Sequence, residues 1–150
     1  MIDIEPIVIT EIKNAVESAF ISDYPDIKVY SYEPPVVEKF PCVCVVENDN
    51  YTYKRTQEFG KLTENNAVVT FRVSVYTNNS TTPKAVCKKV FGVVDSTLQL
   101  LKATRIMAGP VENIDRTIAR RVGLYEMLVG EGITTTEAGV EITTYPAFRY

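Results

Sequence analysis

The chain contains no histidine. That absence removes Ser-His-Asp and Cys-His nucleophile pairs, the two-histidine zinc helix and every histidine general base. Cysteine is scarce, with three residues, an odd number. The start, Met1-Ile2-Asp3-Ile4-Glu5-Pro6, carries acid where a secretory leader needs Lys or Arg. The thiols are therefore expected to be reduced, in a chain made in a cytoplasm. No apolar run reaches the roughly 18 residues of a membrane helix. A Gly-x-x-x-x-Gly-Lys-Ser/Thr phosphate loop is lacking, and no Gly-x-Gly-x-x-Gly follows a strand pattern; Gly130-Glu131-Gly132 reads as a turn.

What is present is an ordinary globular composition. Of 150 residues, 45% are apolar and 23% charged, enough for one domain with its own core. Net charge is −3, which argues against a nucleic-acid-binding module, where a concentrated basic face is expected.

Two helices are legible. Val8, Ile12, Ala15, Val16, Ala19 and Phe20 recur at the spacing of one helical face, with Pro6 suited to a first turn and Tyr24-Pro25 as a stop. The second helix is capped by Thr81 or Thr82, has Pro83 at its first position, and carries the stripe Val86, Val90, Val93, Val94 and Leu101, widened by Phe91 and Leu98. Lys84, Lys88, Lys89 and Lys102 form its wet face, and Gly109-Pro110 breaks the chain after it.

Strands are expected over residues 27–32, over the doubly apolar run Pro41-Cys42-Val43-Cys44-Val45-Val46, and over residues 67–76. The last alternates strictly and so has one core face and one face mostly toward water or a partner. Residues 114–129 read as a strand rather than a helix, because Gly123 and the β-branched residues oppose a helix. A Thr-rich C-terminal segment suggests a hairpin. The order predicts an α+β domain of two layers, a mixed or mostly antiparallel sheet with two amphipathic helices packed on it.

No constellation of catalytic, cofactor-binding or metal-ligating residues emerges, and no enzyme, metal or cofactor is expected. Cys42 and Cys44 share a strand face, but a zinc site needs about four ligands, and only Cys87 and scattered carboxylates remain. They read as small buried side chains. Glu112 and Asp115 have the residue types of a glycosidase pair, but the plainer reading is a turn-capping acid in a solvated loop. Arg120 and Arg121 face opposite sides of a strand and make no single phosphate-binding stripe; an intersubunit role is open to them.

Several phrases resemble the tail terminator, or tail completion, proteins of tailed phages and phage-derived contractile particles. They are Phe40-Pro41-Cys42-Val43-Cys44-Val45-Val46-Glu47, Asn50-Tyr51-Thr52-Tyr53-Lys54-Arg55-Thr56-Gln57, and Asn65-Asn66-Ala67-Val68-Val69. After the second helix comes Val111-Glu112-Asn113-Ile114-Asp115-Arg116-Thr117-Ile118-Ala119-Arg120-Arg121-Val122-Gly123-Leu124-Tyr125, similar to that family's loop leading into an Arg-bearing strand. The resemblance covers roughly residues 5–129, a core followed by a C-terminal extension over about 130–150. It implies a virion structural protein made in the bacterial cytoplasm and assembled as a homo-oligomeric, hexameric ring. Such a ring caps the tail tube, stops its polymerisation and meets the neck, with the tube, sheath and neck proteins as partners. Neither sequence-specific nucleic-acid binding nor a membrane is implied. A head–tail connector, a small ligand-binding regulatory domain and an enzyme using carboxylates alone are the alternatives.

Residues 48–66 form a polar excursion too long for a simple hairpin loop. Tyr51, Tyr53, Arg55 and Phe59 are of the types enriched at interface hot spots. The segment is expected to be an intersubunit arm, with Arg120 and Arg121 as further interface candidates.

Overall fold

The computed structural model describes residues 2–52, 66–78, 81–130, 133–137, 140–144 and 147–148. The order is α1 (Glu5–Phe20), β1 (Lys28–Tyr30), β2 (Cys42–Thr52), β3 (Asn66–Thr77), α2 (Pro83–Leu100), β4 (Thr104–Val111), β5 (Ala119–Gly130), β6 (Ile133–Glu137), β7 (Val140–Thr144) and β8 (Ala147–Phe148). The main sheet runs β1-β2-β3-β5-β4. Only β1 and β2 are parallel; the other pairs are antiparallel. The short β8 pairs with β5 at Leu128 and Val129, beyond the start of β4, while β6 and β7 pair with each other. This is the expected α+β architecture, helices packed on a mixed sheet.

The helices lie on one face because their apolar stripes match the inward residues of the strands. Val8, Ile12, Val16 and Phe20 of α1 are buried, as are Val86, Val90, Phe91, Val94 and Leu98 of α2. They meet Val43, Val45, Val69, Phe71, Val73, Val75, Tyr125 and Met127 of the sheet in one cluster. Ala19, expected on the buried stripe, is exposed. Gly123 faces this layer, and a Cβ there would lie 2.6 Å from Cζ of Phe91. Its lack of a side chain lets the ring of Phe91 approach the sheet.

Several expectations need correction. Helix α2 stops at Leu100, short of Leu101 and Lys102, expected on its apolar stripe and wet face. Lys102 takes a left-handed φ of 66°. Its N–H donates to Gln99 O at 3.0 Å, and the Ala103 N–H donates to Leu98 O at 2.9 Å. These two hydrogen bonds close the helix in the manner usual for a glycine, but a lysine fills the position. The chain then enters a strand that the sequence reading missed. Gly109-Pro110, read as a break, lies inside β4. Proline is tolerated there because β4 is an edge strand and needs no donor on its outer side. Strand β2 is longer than expected and continues through residues 48–52 past an irregularity between Glu47 and Asp49.

The second face of β3 is not open to water. Arg72 is half-buried, but Thr70, Ser74 and Tyr76 are buried. The connection between β1 and β2 covers part of this face: Val37 and Phe40 pack on Cys42, Cys44 and Tyr76. Ser74 donates to Glu33 Oε1 at 3.0 Å.

Candidate functional site: an open sheet edge and a basic cleft

Strand β4 ends the sheet, and among the described residues no strand pairs with its outer edge. Its register with β5 slips between Arg105 and Met107, leaving Ile106 as the extra residue. Ile106 is 53% exposed and Met107 60% exposed. Leu100, at the end of α2, and Ile114, in the turn after β4, are also exposed, at 83% and 104%. Unpaired strand edges with apolar side chains are docking surfaces unless a protein blunts them with charge, proline or a cover. Here Pro110 and the irregularity at Ile106 blunt the edge only in part.

Strand β4 is held firmly from behind. The Tyr125 hydroxyl donates to Asp95 Oδ1 at 2.6 Å, and Arg105 Nη1 donates to the same oxygen at 3.2 Å. Burial, then the bond to Asp95, pushes the Tyr125 hydroxyl far above its ordinary range. One carboxylate of α2 thus ties β5 and β4 together, and the edge is presented on a rigid support.

A cleft of about 840 Å³ opens where α2 and β5 begin and β4 ends. Lys84, Lys88, Arg116, Arg120 and Arg121 line it, with Glu112 as the only acid. Residues of opposite strand faces meet here because the cleft wraps the end of the sheet. Arg121 lies on the helix side, its guanidinium 5.4 Å from the Phe91 ring centroid. Arg120 lies on the other side, 5.2 Å from the Tyr76 ring centroid, with Nη2 at 3.7 Å from Glu33 Oε1. The Arg120 Nε is buried and has no hydrogen-bond partner among the described residues. Arg72 also approaches Glu33, at 3.7 Å. Burial raises the Tyr76 hydroxyl, while Arg120 pulls it down. The sequence reading separated the arginines from the α2 lysines. The fold brings Lys84 and Lys88 to the cleft, while Lys89 lies over the Phe20 ring at 6.0 Å.

Asp115 is the turn-capping acid the plain reading expected. It accepts from the Thr117 N–H at 2.9 Å and from the Thr117 hydroxyl at 2.6 Å. Those bonds hold its carboxyl below the usual range. Glu112 lies on the cleft wall, so the two acids have separate surroundings.

Cys42 and Cys44 point to the same face, buried, with Sγ atoms 3.7 Å apart. That contact, with burial, pushes the Cys42 thiol up. Burial also raises the thiol of Cys87, which donates to Val75 O at 3.3 Å.

A third charged feature was not singled out from the sequence. Asp3, Glu5 and Glu47 place carboxylate oxygens within 4.8 Å of one another. Asp3 accepts from the Glu5 N–H at the start of α1, at 3.2 Å. Burial, then Glu5 and Asp3, raises Glu47 above the ordinary carboxylate range. Residues on separate elements gave no local signal for this grouping.

Of the arm residues, Tyr51 stands on β2 opposite Val68 and is 54% exposed. It belongs to a strand of the main sheet and not to a free loop. Tyr53, Arg55 and Phe59 lie outside the described residues. No described helix is long and apolar enough to cross a membrane. Compared with known proteins, the chain matches no protein-family model and no curated sequence.

Proposed function

We propose that this chain is a structural assembly protein, a tail terminator that closes into a homo-oligomeric ring, caps a phage-type tail tube and stops its growth. The ring is a hexamer, and it meets the tube, the neck and, in a contractile particle, the sheath. Its work is binding, without turnover, metal or cofactor. The chain is made in the bacterial cytoplasm and ends in the virion or tail-like particle.

The observation that carries this reading is the open β4 edge, with Ile106 and Met107 exposed on it. A monomer leaves such an edge as an aggregation hazard; a ring covers it. The phrase at residues 111–125 that resembles the terminator family supports the reading from a second direction. It forms the end of β4, the turn capped by Asp115 and the first half of β5.

The test is deletion of the gene in the producing strain, followed by electron microscopy. Tails of uncontrolled length are expected. Tails of normal, uniform length that fail to join heads would replace the terminator with a connector.

A further inference from the structure

The basic cleft is built against local preference. Lys84 sits in the first turn of α2, where the helix dipole disfavours a cation, and that turn contains no acid. Lys88 follows one turn later, and Arg116 and Arg121 line the same cleft. Glu112 of the cleft wall can offset only one of these charges, and the remainder repel unless a further anion joins them. The net charge of the whole chain is −3, so the cleft has the opposite sign to the molecule that carries it.

The complementary feature is on the same chain. Asp3, Glu5 and Glu47 are crowded at the start of α1, and no described cation pairs with them. The dipole of α1 accounts for Asp3 and Glu5 at its N-terminus, but not for Glu47, which comes from β2. The two features sit at opposite ends of the fold. Helix α1 starts beside the far part of β2, where Asn50 Nδ2 donates to Ile2 O at 2.9 Å. Helix α2 starts beside the end of β3, where the Thr77 hydroxyl donates to Pro83 O at 2.6 Å. Glu47 pairs with Phe71, six residues along β3 from Thr77, on the order of 20 Å away. The acids of one chain therefore cannot enter its own cleft.

We infer that the cleft lined by Lys84, Lys88, Arg116 and Arg121 receives the Asp3, Glu5 and Glu47 carboxylates of a second copy. This contact rests on the ring reading and specifies how neighbours meet. It joins unlike surfaces, so it is head-to-tail, the kind of contact that closes into a ring when the rotation permits. Continuity favours it, because the cleft opens at the end of the exposed β4 edge. Charge pairing of this sort sets register and partner choice, while the apolar edge supplies area.

The test uses two full-length variants, with native mass spectrometry as the readout and circular dichroism as the folding control. Lys84→Glu with Lys88→Glu spoils the cleft and leaves the acidic end intact. Asp3→Asn with Glu5→Gln spoils the acidic end and leaves the cleft intact. Each alone is expected to remain monomeric, with self-association weakened by on the order of 100-fold. Mixed in equal amounts they should form one-to-one heterodimers and nothing larger, because only one productive junction remains. A mixture that stays monomeric overturns the contact. Variants that each assemble like the wild type also overturn it, while the ring reading survives through another surface. If the lysine variant assembles normally but loses retention of inorganic phosphate that the wild type shows in equilibrium dialysis, the cleft is a small-anion site and the contact is wrong. A wild type that never assembles removes the ring reading and the contact together.

Discussion

The two faces of the sheet are sealed by different means. The helix face is dry: Val43, Val45, Val69, Phe71, Val73 and Val75 meet the stripes of α1 and α2, and its buried polar groups are paired, as where the Tyr125 hydroxyl meets Asp95. The other face is keyed by polar groups. Glu33 reaches Ser74, Arg72 and Arg120, beside the thiol pair and Tyr76. Apolar burial is non-directional and gives the fold most of its stability. A charged key gives less net stability but fixes which segment covers which strand. The helix layer thus holds the fold, while the opposite face and the open edge are free to specialise in contacts.

That difference can be broken from either side. The largest effect belongs to the helix face: Phe71→Ala, at a fully buried ring, should cost about 3–5 kcal/mol in urea-induced unfolding. Gly123→Val places a branched side chain where even Cβ meets Phe91 at 2.6 Å, and about 3 kcal/mol should be lost by overpacking. Substitution on the keyed face should do less. Glu33→Ala removes the acceptor of the buried Ser74 hydroxyl, a loss of about 1–2 kcal/mol, with the two solvent-screened arginine contacts adding little. If Glu33→Ala destabilises as much as Phe71→Ala, the two faces do not differ in the way described.

A smaller effect of opposite sign is expected at the acidic end. Burial and neighbouring acids raise Glu47, so its charged form is disfavoured in the folded chain. The resulting penalty is full above the raised folded value and fades as pH falls through it toward the unfolded value. Glu47→Gln should therefore raise the melting temperature of dilute, monomeric protein slightly at neutral pH. The gain should vanish in acid. A Glu47→Gln variant less stable than wild type at neutral pH would show that the charge is satisfied within the chain.

The helix stripes and the central strands were legible because burial follows their periods. Val8, Ile12, Val16 and Phe20 recur as one face of a helix, and Ala67, Val69, Phe71, Val73 and Val75 alternate as the side of β3 that meets the helices. Strand β4 was hidden for a physical reason. Its residues are mostly exposed, so no apolar period marks it, and Gly109-Pro110 suits an edge as well as a break. The end of α2 was equally silent, since Lys102 adopts a left-handed conformation that sequence usually signals with glycine. The cleft could not be read at all. It depends on β5 lying between β3 and β4, which brings the start of α2 beside Arg116, Arg120 and Arg121. Opposite-facing arginines looked separate along a strand, yet at a sheet end both reach the same space. Of the expected interface residues, Tyr51 is exposed on β2 and the two arginines line the cleft.

The open edge invites a more direct disturbance. Met107→Lys puts a charge on an exposed position and should change monomer stability by no more than about 0.5 kcal/mol. Assembly should nevertheless weaken, because a lysine on the edge opposes strand or apolar docking. Sedimentation velocity beside thermal melting separates the two effects.

Ring formation by this chain is what the proposed function requires. Native mass spectrometry of the purified wild-type chain tests it most directly. A closed homo-oligomer is expected, with the hexamer as the dominant species and no open series of larger chains. A monomer as the sole species at high protein concentration and low salt would contradict it.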